Sequence, residues 1–155
     1  MKSILFVCLG NICRSPTAKA VFDHKLAAAG IDLVTDSAGT GDWHIGHPPD
    51  PRSLAFAHRW GVDMSNQRAR QVQPQDFVRF DRIYAMDRAN LSALQRMAPA
   101  DAIARVELVM SLAPDYGLDE VPDPYYGGDD GFQRVIDMLE SAADRLIAEL
   151  HARPR

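Results

Sequence analysis

Ser3-Ile4-Leu5-Phe6-Val7-Cys8-Leu9-Gly10-Asn11-Ile12-Cys13-Arg14-Ser15-Pro16 is a mostly apolar run, interrupted by a glycine and an asparagine, that ends on a serine and a proline. Its first part, Ser3 to Val7, reads as a strand buried on both faces of a parallel sheet. A helix follows at once. Ser15 suits its N-cap and Pro16 its first position, and apolar residues recur at Ala18, Val21, Phe22, Leu26 and Ala29 until Gly30 stops the run. A loop between a strand end and a helix start is where α/β proteins bind anions, because the first amides of a helix lack intrahelical partners and the helix dipole is positive there. Gly10 and Asn11 suit the left-handed or tight turns that point successive N–H groups inward.

Cys8 is the residue with chemistry. Inward-facing amides, a helix N-terminus and a guanidinium all favour a thiolate, which is a strong nucleophile. Arg14 offers a planar fork able to hold two phosphate oxygens, and the amides of Leu9, Gly10, Asn11, Ile12, Cys13, Arg14 and Ser15 complete a cradle. The Ser15 hydroxyl is suited either to donating to the thiolate or to capping the helix. A lone cysteine at a strand end is more often a small buried hydrophobe. Cysteine, five residues, arginine and serine between a buried strand and a capped helix is a far narrower pattern.

Outward from this loop, 155 residues with 46% hydrophobic content make one ordinary domain, 1–155. No long apolar segment follows Lys2, so no signal peptide or membrane span is expected. Two cysteines five apart make no disulfide framework, and a cytoplasmic location is expected. The net charge of −4 and the lack of a basic run argue against nucleic-acid binding. No CxxC or HExxH pattern appears, so neither a metal nor another cofactor is expected.

Asp32 to Ser37 is long enough for a second strand, and Ala38 to Pro51 has the Gly, Pro, His and Asp content of a functional loop. Trp43 in that loop either covers the core or stands open, and His44 and His47 lack a third ligand that would make them a metal site. Pro51 opens a helix that runs through Trp60 to Gly61. Arg68 and Arg70 fall in a loop, as exposed charges or as a basic rim; for Arg68 the exposed charge is the simpler reading. A helical turn is expected at Pro74 to Phe80, a third strand at Arg82 to Met86, and a helix N-cap at Asp87, which also stands where it would tether Arg14 or another loop element. Arg105 to Met110 supplies a fourth strand. Prolines on both sides of Asp123 stiffen its backbone. Phe132, Val135, Ile136, Leu139, Ala143, Leu146, Ile147 and Leu150 form a helical stripe, and His151 to Arg155 a frayed tail. The alternation predicts a Rossmann-like α/β three-layer sandwich, with a four-stranded parallel sheet flanked by helices.

The segment Leu5 to Pro16 resembles the phosphate-binding loop of the low-molecular-weight protein tyrosine phosphatases. Asp36-Ser37-Ala38-Gly39-Thr40, Trp43, Gly46, Pro48 to Arg52, Gly61 to Ser65, Arg70-Gln71, Phe80-Asp81, Met86-Asp87 and Asp123-Pro124-Tyr125-Tyr126-Gly127 follow in that family's order, so the resemblance spans the chain. It implies the same fold and a metal-independent hydrolysis of phosphotyrosine, and of small aryl phosphates, through a phosphocysteine on Cys8. Asp123 would then protonate the leaving oxygen and later activate water. Trp43, Asp50, Tyr125 and Tyr126 would wall the ring of a phosphotyrosine-containing protein substrate. Ser37 would support the loop with Asn11, Ser15 and Asp87. Asn66 stands where many relatives have a histidine of the same network. Cys13 is either a redox partner for Cys8 or a thiol packed on the core. Two other readings stand beside this one. A thiol-dependent arsenate reductase needs further resolving cysteines, and none follows Cys13; a non-catalytic anion-binding module would have no use for Cys8, Arg14 and Asp123 together.

Overall fold

The computed structural model describes residues 1–124 and 128–152. Strand β1 (Ser3–Cys8) lies in the middle of a four-stranded sheet of order β2-β1-β3-β4, with β2 at Val34–Gly39, β3 at Arg82–Ala85 and β4 at Arg105–Leu108. All neighbours pair in parallel, so each crossover carries helix or loop on a face of the sheet. Side chains alternate along β1. Ile4, Phe6 and Cys8 join the core beneath α1 (Arg14–Ala28) and α5 (Gly128–Ala152), whereas Leu5 and Val7 join the core beneath α3 (Asp76–Arg79) and α4 (Arg88–Met97). Phe6 packs on Phe22 with ring centroids 4.6 Å apart, and truncating such a fully buried aromatic costs about 3–5 kcal/mol. The stripe expected on α5 is buried from Phe132 to Leu146, against α1 and the sheet.

The first helix departs from its expected start. It begins at Arg14, with Cys13 in the cap position and no side-chain cap, because the Ser15 hydroxyl bonds inside the preceding loop. Pro16 still falls within the first turn, where no intrahelical N–H is needed. Strand β2 runs two residues later than Asp32–Ser37, since its register with β1 pairs Ser3 with Val34 and Cys8 with Gly39. Strand β4 stops at Leu108, and Val109 opens a 3₁₀ turn. Helix α2 (Pro51–Trp60) starts where expected, and Asp50 caps it by accepting from the amides of Arg52 and Ser53. Asp87 likewise caps α4 through the Asn90 amide at 2.8 Å. His151 and Ala152 continue α5, although a frayed tail was expected from His151. Among the described residues no helix is long and apolar enough to cross a membrane.

Candidate active site

The C-terminal ends of β1 and β2 and the start of α1 converge on the loop from Cys8 to Arg14. Its carbonyls are taken from outside. Thr40 N–H donates to Cys8 O at 2.9 Å, Gly41 N–H to Leu9 O at 2.9 Å, Asp50 N–H to Ile12 O at 2.8 Å and Thr17 N–H to Cys13 O at 3.2 Å. In a trans peptide the N–H points opposite its carbonyl, so the amides of Leu9, Gly10, Cys13 and Arg14 turn toward the inside of the loop. Asn11 N–H donates to Cys8 Sγ at 3.3 Å. The result is a concave set of donors with sulfur at its base, an anion cradle opened onto a helix N-terminus.

Asn11 makes the turn. Its φ of 57° lies in the left-handed region, which asparagine tolerates better than most residues. Its buried side chain locks that conformation: Nδ2 donates to Ser15 Oγ at 2.8 Å and to Ser37 Oγ at 2.9 Å, and Oδ1 accepts from Arg70 N–H at 3.0 Å. Gly10 is not left-handed. Its missing side chain instead makes room for the His44 ring, which a Cβ would meet at 3.0 Å. Gly39 serves a similar purpose beneath the loop, where a Cβ would stand 2.8 Å from the Leu9 carbonyl oxygen and 3.3 Å from the Asn11 nitrogen.

Hydrogen bonds run out from Asn11 toward the sulfur on one side and toward Gln67 on the other. Gln67 Nε2 donates to Pro16 O at 3.0 Å, Ser37 Oγ donates to Gln67 Oε1 at 3.2 Å, and Asn11 Nδ2 donates to both serine oxygens. Ser15 Oγ accepts from Asn11 Nδ2 and lies 3.0 Å from Cys8 Sγ and 3.4 Å from Ala38 O; an ionised sulfur can only accept, so against a thiolate the hydroxyl is the donor. Ser15 therefore lies against the sulfur and does not cap the helix. Asn66, expected in this network, is exposed, and Gln67 makes the Ser37 contact instead. A one-residue offset in a loop has no periodicity to read, so no local pattern marks Gln67 over Asn66.

Arg14 is buried at the helix start. Nη1 donates to Asp87 Oδ2 at 2.7 Å and to Val121 O at 3.0 Å. Among the described residues nothing bonds Nε or Nη2, so that edge of the fork is open to two phosphate oxygens. Burial alone would lower the guanidinium pKa, but the Cys8 sulfur and Asp87 outweigh it and hold the charge in place. Asp87 therefore caps α4 with one oxygen and orients Arg14 with the other.

Cys8, Leu9, Gly10, Ile12, Cys13 and Arg14 open into a cavity of about 420 Å³ whose walls are Trp43, His44, Asp50 and Asp123. Trp43 is 67% exposed, so it stands over the cavity rather than covering the core. A larger cavity of about 580 Å³ lies on the far side of Ser37 and Gln67, without a nucleophile. Tyr125 and Tyr126, expected as aromatic walls, lie outside the described residues. Cys13 is buried against Ser53 Oγ at 3.2 Å, and desolvation pushes its thiol up to about 11. Arg70 is no open rim; it pairs bidentately with Asp76 at 3.0 and 3.1 Å and with Asp36 at 3.1 Å. Among the described residues no group of three or more His, Cys, Asp or Glu side chains gathers as metal ligands would.

The chain is similar along nearly its whole length to one family of proteins. The family model described as low molecular weight phosphotyrosine protein phosphatase matches residues 3–155. The low molecular weight protein-tyrosine-phosphatase YfkJ of Bacillus subtilis is 40% identical over 152 residues, 97% of this chain and 96% of that protein. The structure of a protein tyrosine phosphatase from Entamoeba histolytica with Hepes in the active site superposes with a TM-score of 0.91 at 38% identity, covering 97% of both chains. The structure of a Drosophila arginine phosphatase gives a TM-score of 0.92 at 31% identity, covering 99% of this chain and 100% of that one.

Proposed function

Because the chain belongs to the low molecular weight phosphotyrosine protein phosphatase family, an enzyme family of phosphoric monoester hydrolases, we propose that Cys8 is its nucleophile, Arg14 its phosphate clamp and Asp123 its acid and base. The single observation that carries this assignment is the 3.0 Å contact between Ser15 Oγ and Cys8 Sγ inside a cradle of inward amides. The ester's phosphoryl group docks in the cradle with two oxygens on the open edge of Arg14. Cys8 Sγ attacks in line, forming the S–P bond as the P–O bond to the phenol breaks, and Asp123 gives its proton to the leaving oxygen. Water then attacks phosphorus and gives a proton to the Asp123 carboxylate. Phosphate leaves, and the sulfur regains its charge under the Ser15 hydroxyl and the Asn11 amide. Thiolate, guanidinium and carboxyl supply nucleophile, charge and proton, so these steps need no metal or cofactor.

The substrate is a phosphotyrosine-containing protein, whose ring lies between Trp43 and the Asp50 and Asp123 side. The Hepes in the Entamoeba enzyme's active site supports oxyanion binding here, since Hepes carries a tetrahedral sulfonate. The free thiols of Cys8 and Cys13 fit a reducing compartment, the cytoplasm. Asp123→Asn tests the acid role. The expected loss in kcat/KM is about 10²–10³-fold for phenyl phosphate and close to none for 2,4-dinitrophenyl phosphate, whose phenolate needs no proton. Equal loss on both esters overturns the assignment. The Drosophila neighbour makes phosphoarginine the competing substrate, and faster turnover of a phosphoarginine peptide than of a phosphotyrosine peptide would replace the aryl-ester reading.

A further inference from the structure

The stretch just before Asp123 is fastened to the β3–α4 junction at successive residues. Glu120 Oε2 accepts from Arg88 N–H at 2.8 Å, Val121 N–H donates to Met86 O at 2.8 Å, and Val121 O accepts from Arg14 Nη1 at 3.0 Å. Arg88 is the first residue of α4, so its amide has no intrahelical acceptor and lies at the positive end of the dipole. Asp87, beside it, orients Arg14 and caps the same helix. From Val121, a fully buried side chain, only Pro122 intervenes before Asp123, and proline transmits the direction of the chain stiffly.

We propose that Glu120 is a positioning residue for the Asp123 carboxyl, acting through its bond to the Arg88 amide; this rests on the acid role proposed for Asp123. Val121 is held through both its N–H and its C=O. Glu120 adds a side-chain tether one residue earlier, so the stretch that leads through Val121 to Asp123 is held on the α4 N-terminus as well. The contact is a charge-assisted bond at a helix N-terminus, formed by a carboxylate that lines no part of the cavity around Cys8. The Arg88 guanidinium also pairs with Asp119, but both side chains are more than half exposed, which makes that pair a minor restraint.

Two variants remove the bond from opposite sides. Glu120→Ala deletes the acceptor. Arg88→Pro deletes the donor at a helix position where proline is well accommodated, and the extended backbone of Asp87 (φ −145°, ψ 175°) already suits a residue before proline. Glu120→Gln keeps a carbonyl acceptor, and Arg88→Ala removes only the exposed ion pair. Both Glu120→Ala and Arg88→Pro are expected to lower kcat/KM for phenyl phosphate about fivefold, the scale of one carboxylate at a helix N-terminus, while leaving 2,4-dinitrophenyl phosphate within about twofold of wild type. Glu120→Gln should recover most of the loss, and Arg88→Ala should track wild type. In an Asp123→Asn background, Glu120→Ala should cost nothing further. Equal loss on both esters, no loss on either, or an undiminished loss on top of Asp123→Asn would overturn the proposal. The acid role itself fails separately, in the leaving-group dependence of Asp123→Asn alone.

Discussion

Gly39→Ala places a methyl group under the anion cradle. The added Cβ would stand 2.8 Å from the Leu9 carbonyl oxygen, 3.2 Å from Asn11 Cβ and 3.3 Å from the Asn11 nitrogen, where ordinary contact begins at 3.4 Å. All three atoms belong to the loop backbone or its left-handed corner, so no flexible side chain can swing aside. Gly39 cannot retreat either: its amide donates to Arg70 O at 2.8 Å and its carbonyl accepts from Val72 N–H at 2.9 Å. The loop must therefore rise by roughly half an ångström at Leu9 and Asn11. Overpacking of this kind costs about 1–3 kcal/mol of stability. The displaced atoms include the amide that donates to Cys8 Sγ, and since a misplacement near 1 Å costs about 10²-fold, half of it is expected to cost about tenfold in kcat/KM. Urea unfolding and steady-state hydrolysis of a phosphotyrosine peptide measure both. A stable Gly39→Ala protein with wild-type kcat/KM would refute the reasoning that the β2 end sets the height of the loop.

Gln67→Ala removes the far end of the chain that reaches the sulfur through Ser37 and Asn11, and is expected to lower stability by about 1 kcal/mol and kcat/KM severalfold. Asn66→Ala, one residue away and exposed, should change neither; the reverse pattern would restore Asn66 to the network. Cys13 stays a protonated thiol through neutral pH, because its pKa is raised to about 11. Iodoacetamide labelling of Cys8→Ser protein should thus be slow at pH 7 and rise steeply only toward pH 11, and fast labelling of Cys13 at pH 7 would contradict the burial argument.

The parts of this structure that sequence made legible are those where one residue type serves one dominant purpose. The apolar run of β1, the proline and glycine around α2, the aspartate capping α4 and the stripe of α5 each follow from burial or capping alone. Ser15 illustrates the limit. A serine before a proline carries a strong N-cap signal, yet the folded loop offers its hydroxyl a thiol and a buried amide, and those tertiary partners win. Gly10 and Asn11 looked alike as turn formers, but only Asn11 takes positive φ, because its amide finds three partners from three segments of chain. The Arg70 pairing with Asp36, and the choice of Gln67 over Asn66, depend on contacts between segments far apart in the chain that no local pattern encodes.

The most direct measurement is a rapid denaturant quench of the protein mixed with a radiolabelled phosphotyrosine peptide, followed by mapping of the label. The expected result is up to one phosphoryl group per chain, carried on Cys8, formed before phosphate is released and absent from Cys8→Ser. Release of phosphate by wild type with no label on Cys8 would contradict the cysteine-based mechanism.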